Sequence, residues 1–199
     1  MKRTLVTINL KRMNAISIAM CAIPMLISLP LQWTVLKGLN KPFELWDLLI
    51  VAIAMPLLFI LHEGVHAISF MLTGAPKGSV KFGAIPKKMM LYCTTTEPLP
   101  VKGYAISLLM PLIFTGIIPW IISTVCLNAV YSILFATLIS GAAGDVTMLI
   151  ELNKHKKAVM IMDHPFAPAF YAIYKEEDFP SDLREPTEED EADLRKTYK

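Results

Sequence analysis

Apolar residues along this chain gather into long runs instead of alternating or recurring as isolated stripes. The first run spans about 13–36 and is interrupted by Pro24 and Pro30; the second spans about 46–73, from Trp46 to just before Gly74-Ala75-Pro76. A third, from Tyr104 to Leu152, is too long for one crossing at about 20 residues per span. It fits two helices, about 104–126 and 128–152, turning near Cys126-Leu127-Asn128. Pro111 and Pro119 in the third helix are tolerable because neighbouring helices can satisfy the carbonyls that a proline leaves without a partner. The predicted class is an all-α membrane protein of four transmembrane helices over 13–152, with a short N-terminal segment 1–12 and a tail 153–199.

The polar stretches refine this picture. Between the second and third helices, Ser79-Val80-Lys81-Phe82 and Met90-Leu91-Tyr92-Cys93-Thr94-Thr95-Thr96 are rich in β-branched and aromatic residues, with Pro86-Lys87-Lys88 between them. They predict a short β-hairpin. From Lys175 onward the tail carries ten acidic residues against five basic ones, the composition of a solvated, flexible segment or a short exposed helix. Lysine and arginine cluster in the N-terminal segment, in the 74–103 loop and at 154–157, twelve in all, against only Lys37 and Lys41 on the other side. The positive-inside rule then puts both termini and the long loop in the cytoplasm of a multi-pass cell-membrane protein. The basic N-terminus ahead of an apolar run is like a signal peptide, but no A-x-A site follows and the segment reads as an uncleaved span.

Composition agrees: 54% of the 199 residues are hydrophobic and mean hydropathy is +0.51. The net charge of +2 gives no reason to expect a nucleic-acid partner. Cys21, Cys93 and Cys126 are scattered and form neither a disulfide framework nor a C-x-x-C metal site.

Within the second apolar run stands His62-Glu63-Gly64-Val65-His66. On a helix, positions i and i+4 project from one face, so both imidazoles can reach one metal ion, and Glu63 stands where a general base would. A catalytic zinc takes three protein ligands and keeps one position open. The third candidate is Asp145, an ionisable residue deep in the fourth run, where an unpaired carboxylate costs at least about 2.5–3.5 kcal/mol. His66 precedes Gly74 by eight residues and Asp145 precedes Lys154 by nine, so at about 1.5 Å per residue both lie roughly 12–14 Å below one membrane surface. Ser140, Gly141 and Gly144, with Gly64 and Ala67, are small enough to let helices approach closely. Glu151, Glu44, Asp47 and His155 are poorer ligand candidates by face or depth. Asp163-His164-Pro165, past the last span, is a candidate for capping the site or for a plain turn. The bland alternative for His62, Glu63 and His66 is a set of hydrogen-bonded core residues.

This motif in the second of four spans, with Gly144-Asp145 in the last and Asp163-His164-Pro165 after it, resembles a family of small bacterial membrane proteins described as zincin peptidases. More distantly, it is similar to the site-2 protease group of intramembrane metalloproteases. The resemblance implies a site-2-protease-like core, Zn2+ held by His62, His66 and Asp145, Glu63 as the catalytic base, and a membrane protein or peptide as substrate. The alternative is a metal-binding membrane protein without hydrolysis, either a transporter-like site or an inactive adaptor.

Overall fold

The structure is a computed structural model that describes residues 1–36, 41–85, 90–126 and 128–198. Lys37, the expected Pro86-Lys87-Lys88 turn and Leu127 lie outside the described residues. Among those described, four helical runs are long and apolar enough to cross a membrane: Leu10–Thr34, Leu45–Leu72, Val101–Cys126 and Ala129–Leu152. The first two are α1 and α2. The third consists of α3 (Val101–Pro111), a π-helical stretch (Leu112–Ile117) and α4 (Ile118–Cys126). The fourth is broken at Ala142 into α5 (Ala129–Gly141) and α6 (Ala143–Leu152).

The protein is mostly helical but not all-α. Strands β1 (Lys2–Thr7), β4 (Leu99–Pro100), β5 (Met160–Asp163) and β6 (Ala169–Tyr174) form an antiparallel sheet in the order β1-β6-β5-β4. The expected hairpin is present as β2 (Val80–Ile85) against β3 (Met90–Thr95), with Val80 opposite Thr95 and Ile85 opposite Met90. The all-α expectation missed the larger sheet for physical reasons. β5 is only four residues long, β4 only two, and β6 is buried on both faces, so it lacks the alternation that marks a half-exposed strand. The acidic end of the tail folds as α7 (Glu188–Tyr198) after a Thr187-x-x-Asp190 capping arrangement.

The chain divides into two compact units. One comprises Leu10–Val65 and Met110–Gly144. Here α1 packs chiefly on α5, with Ser17 Oγ 2.8 Å from Ser140 Oγ. Gln32 donates its amide N–H groups to the Ser123 and Thr124 carbonyls and to Ser132 Oγ. Asp47, at the start of α2, accepts from Asn128 Nδ2 at 2.7 Å and from the Tyr131 hydroxyl at 3.0 Å. Asn128 in turn caps α5, its side-chain oxygen taking the Val130 and Tyr131 N–H groups. Leu26, Leu57 and Leu61 are among many large apolar side chains standing exposed on α1 and α2, as on a surface that meets lipid.

The other unit comprises Met1–Asn9, His66–Leu109 and Asp145–Lys199. Its core joins the sheet residues Leu99, Ile161, Phe170 and Tyr174 to Phe70 of α2 and Tyr104 of α3, all essentially inaccessible. α2 stops at Gly74, whose φ of 116° favours glycine. The Ala75 N–H reaches the Phe70 carbonyl and the Gly74 N–H reaches that of Met71, a Schellman closure that turns the chain into the hairpin. Gly103 lies against Thr73: a Cβ built there would be 3.1 Å from Thr73 Cβ. The ends of α2 and α3 are therefore in close contact.

Asn128→Ala removes two cap hydrogen bonds and one to a buried carboxylate. It is expected to lower stability by about 1–3 kcal/mol, read as an earlier unfolding midpoint in mixed micelles.

Candidate metal centre

The two histidines stand one turn apart on α2 and are both buried, in a helix rich in Leu, Ile, Ala and Met. An imidazole in such surroundings needs a partner for its N–H. For His66 that partner comes from α3: Nδ1 lies 3.0 Å from the Ser107 carbonyl oxygen. Pro111, four residues on, has no N–H to close the usual helical bond to that carbonyl, so the oxygen is available to another donor. A carbonyl only accepts, which makes His66 Nδ1 the protonated nitrogen and leaves Nε2 the lone-pair nitrogen of the neutral ring.

His62 reaches the same state by a different route. Its Nδ1 is 3.0 Å from Thr115 Oγ1, and that hydroxyl gives its one proton to the Pro111 carbonyl at 2.7 Å. The hydroxyl must therefore accept from His62, whose Nε2 is again the nitrogen able to coordinate. Thr115 belongs to the π-helical stretch that follows Pro111, and such stretches frequently occur at functional sites.

His66 Nε2 is 3.3 Å from Asp145 Oδ1, with side chains 5% and 17% exposed. One ligand atom from each of His62, His66 and Asp145 lies within 4.8 Å of the others. Asp145 occupies the first turn of α6, just after the break at Ala142, where the positive end of the helix dipole favours a carboxylate. Two imidazole lone pairs and a carboxylate oxygen repel one another when brought this close. A single proton answers one pair of such atoms, whereas a divalent cation answers all three. The nitrogen–nitrogen–oxygen set also matches the three protein ligands of a catalytic zinc. Glu63 lies on the same turn of α2 and is half-buried.

The remaining candidates fall elsewhere. Asp47 is engaged with Asn128 and Tyr131, and Glu151 pairs with Lys154 at 2.6 Å. His155 Nδ1 is 2.6 Å from the Tyr174 hydroxyl. His164 Nε2 meets Glu191 Oε2 at 3.0 Å, and the other oxygen of that carboxylate accepts from the Tyr171 hydroxyl. Asp163, buried in the unit, accepts from the Tyr104 hydroxyl at 2.5 Å and the Thr95 N–H at 3.0 Å. Burial pushes its carboxyl up to about 6, against the pull of these two donors. Of the small residues expected to draw helices together, Gly141 does so: a Cβ there would lie 3.0 Å from the Phe59 ring. Among the described residues, no atom beyond their own helix turn lies within 4 Å of such a Cβ at Gly64 or Gly144, so close packing does not account for them.

Sequence reasoning missed Ser107 and Thr115. Nothing in the residue type of Ser107 marks it, because its backbone does the work. The signal was Pro111, which disposes of one carbonyl four residues earlier and is followed by a hydroxyl four residues later.

Residues 55–160 match a family model described as "Putative zincin peptidase". An uncharacterised 24.7 kDa protein from Pyrococcus woesei is 28% identical over 139 residues, covering 68% of this chain. The chain spans 60% of that curated relative's length. No solved structure matches.

Thr115→Val keeps the shape but removes the acceptor for His62. It is expected to weaken zinc binding roughly 10–100-fold, measured by competition with a chromophoric chelator, while Thr115→Ser stays near wild type. The Asp163 carboxyl makes a second prediction. Its folded-state value lies above the ordinary 3.8, so the folded protein holds this proton more tightly than the unfolded chain. Its contribution to stability is then greatest below about pH 4 and falls as pH rises to about 6. Subtracting the pH profile of thermal unfolding of Asp163→Asn from that of wild type should leave that downward slope.

Proposed function

From a chain that belongs to the family described as zincin peptidases, we propose a zinc-dependent membrane metallopeptidase with His62, His66 and Asp145 as ligands and Glu63 as general base. The observation that carries this reading is the imposed tautomer: each Nδ1 is turned to an acceptor, so each Nε2 can join Asp145 around a cation. In this reading the protein resembles the site-2 proteases in using a metal motif within a membrane-spanning helix, and its substrate is a membrane-embedded or membrane-adjacent segment. Both termini face the cytoplasm. Support for that comes from the clustered basic residues and from β1, ahead of the first span, pairing along β6, beyond the last.

When bound, zinc supplies a Lewis acid that polarises the scissile carbonyl and makes water acidic enough to attack near neutral pH. Glu63 accepts the proton from the attacking water and delivers it to the departing amine. The buried imidazoles keep their Nδ1–H groups donating to Thr115 Oγ1 and to the Ser107 carbonyl, so neither drifts into a donor at Nε2 during the reaction. Asp145 brings one negative charge to the ligand set, which partly offsets the charge of the ion.

Wild type purified in detergent should carry about one zinc per chain, and His66→Ala and Asp145→Ala essentially none. Glu63→Gln should keep its metal yet lose at least about 100-fold in cleavage, with substrates found by comparing new peptide termini in membranes of cells expressing wild type and Glu63→Gln. Identical termini in both, with metal retained, would support the non-catalytic metal protein instead.

A further inference from the structure

Asp163 ends β5 in the four-stranded sheet and plays no part in the chemistry proposed above, yet it is a carboxylate buried with two donors fixed on it. One donor leads back toward the histidines. Tyr104 is wholly inaccessible and stands on α3 three residues before Ser107, so the two share a helix face. The Tyr104 ring stacks on Phe70 at 6.2 Å, and Phe70 stacks on His66 at 6.1 Å. Phe170 of β6 closes the other side of Tyr104 at 6.0 Å. Thr73 of α2 fixes the same turn, its hydroxyl 3.0 Å from Ser107 Oγ.

We propose that Asp163, acting through Tyr104, is a positioning residue: it sets the register of α3 against α2 so that the Ser107 carbonyl holds His66 in its coordinating tautomer. The proposal rests on the reading of His66 as a metal ligand and extends it to the sheet. It gives the Asp163-His164 segment a task that a turn would not need. A carbonyl oriented for an imidazole N–H tolerates only a few tenths of an ångström of slip before the bond lengthens beyond use. The helix bearing it is pinned at three points: Gly103 against Thr73, Ser107 Oγ to Thr73, and Tyr104 to Asp163. Only the last is anchored outside the helices, in a sheet whose strands come from both ends of the chain.

The test uses the full chain in detergent, with Tyr104→Phe, Asp163→Asn and, as a control destabilised elsewhere, Asn128→Ala. Zinc affinity is measured by chelator competition on the monodisperse fraction. The Nδ1 and Nε2 resonances of His66 are followed by 15N NMR of the metal-free protein. Tyr104→Phe and Asp163→Asn should bind zinc roughly 10–100-fold more weakly and show His66 as a mixture of tautomers, whereas Asn128→Ala matches wild type in both. Wild-type affinity in Tyr104→Phe with a single His66 tautomer overturns the proposal, as does an equal loss of affinity in Asn128→Ala. If wild type itself binds no zinc but Tyr104→Phe still mixes the tautomers, positioning by Asp163 stands and the metal reading falls.

Discussion

The carbonyl oxygen of Ser107, deprived of its usual i+4 donor because residue 111 is proline, is the constraint on which the surroundings of His66 depend. An unsatisfied carbonyl in apolar surroundings costs several kcal/mol, and so does an imidazole N–H with nothing to bond. The structure brings these two liabilities together at 3.0 Å. What results is more than mutual satisfaction. The Nδ1 proton of His66 is committed to that carbonyl, and Nε2 lies 3.3 Å from Asp145 Oδ1.

His62 shows the same logic with a hydroxyl as intermediary. Thr115 relays the Pro111 carbonyl to the imidazole, so a single proline organises the surroundings of both histidines. On the far side, the break at Ala142 gives Asp145 a helix N-terminus to sit in. Pro111, the π-helical stretch and the break at Ala142 thus each lie beside a residue of the proposed metal set or beside its hydrogen-bond partner. The regular parts of α1, α2 and α5 are held by polar contacts of another kind, around Gln32 and Asp47, which serve packing.

The four long helices were legible because each is written as about twenty apolar residues in a row, the length that a membrane-crossing helix needs. The hairpin was legible for the same reason at smaller scale, through β-branched residues around Val80 and Thr95. The four-stranded sheet was not. Its strands are short or two-faced, and β1 pairs with β6 across more than 160 residues, a separation that no local pattern reports. In the site, His62, Glu63, His66 and Asp145 could be picked out as costly side chains in apolar runs. Ser107 could not, since it acts through its backbone, and Asp163 could be noticed but not placed. The glycines misled in part: Gly141 packs closely, but Gly64 and Gly144 do not.

On the proposed reading, these features serve to present two buried imidazoles and one carboxylate to a metal ion. The most direct measurement is X-ray absorption at the zinc edge of the purified protein. Two imidazole nitrogens and oxygen ligands at about 2.0–2.2 Å, with the imidazole contribution lost in His62→Ala and His66→Ala, is the result this account predicts. Zinc bound through sulfur, or an imidazole contribution that survives both substitutions, would contradict it.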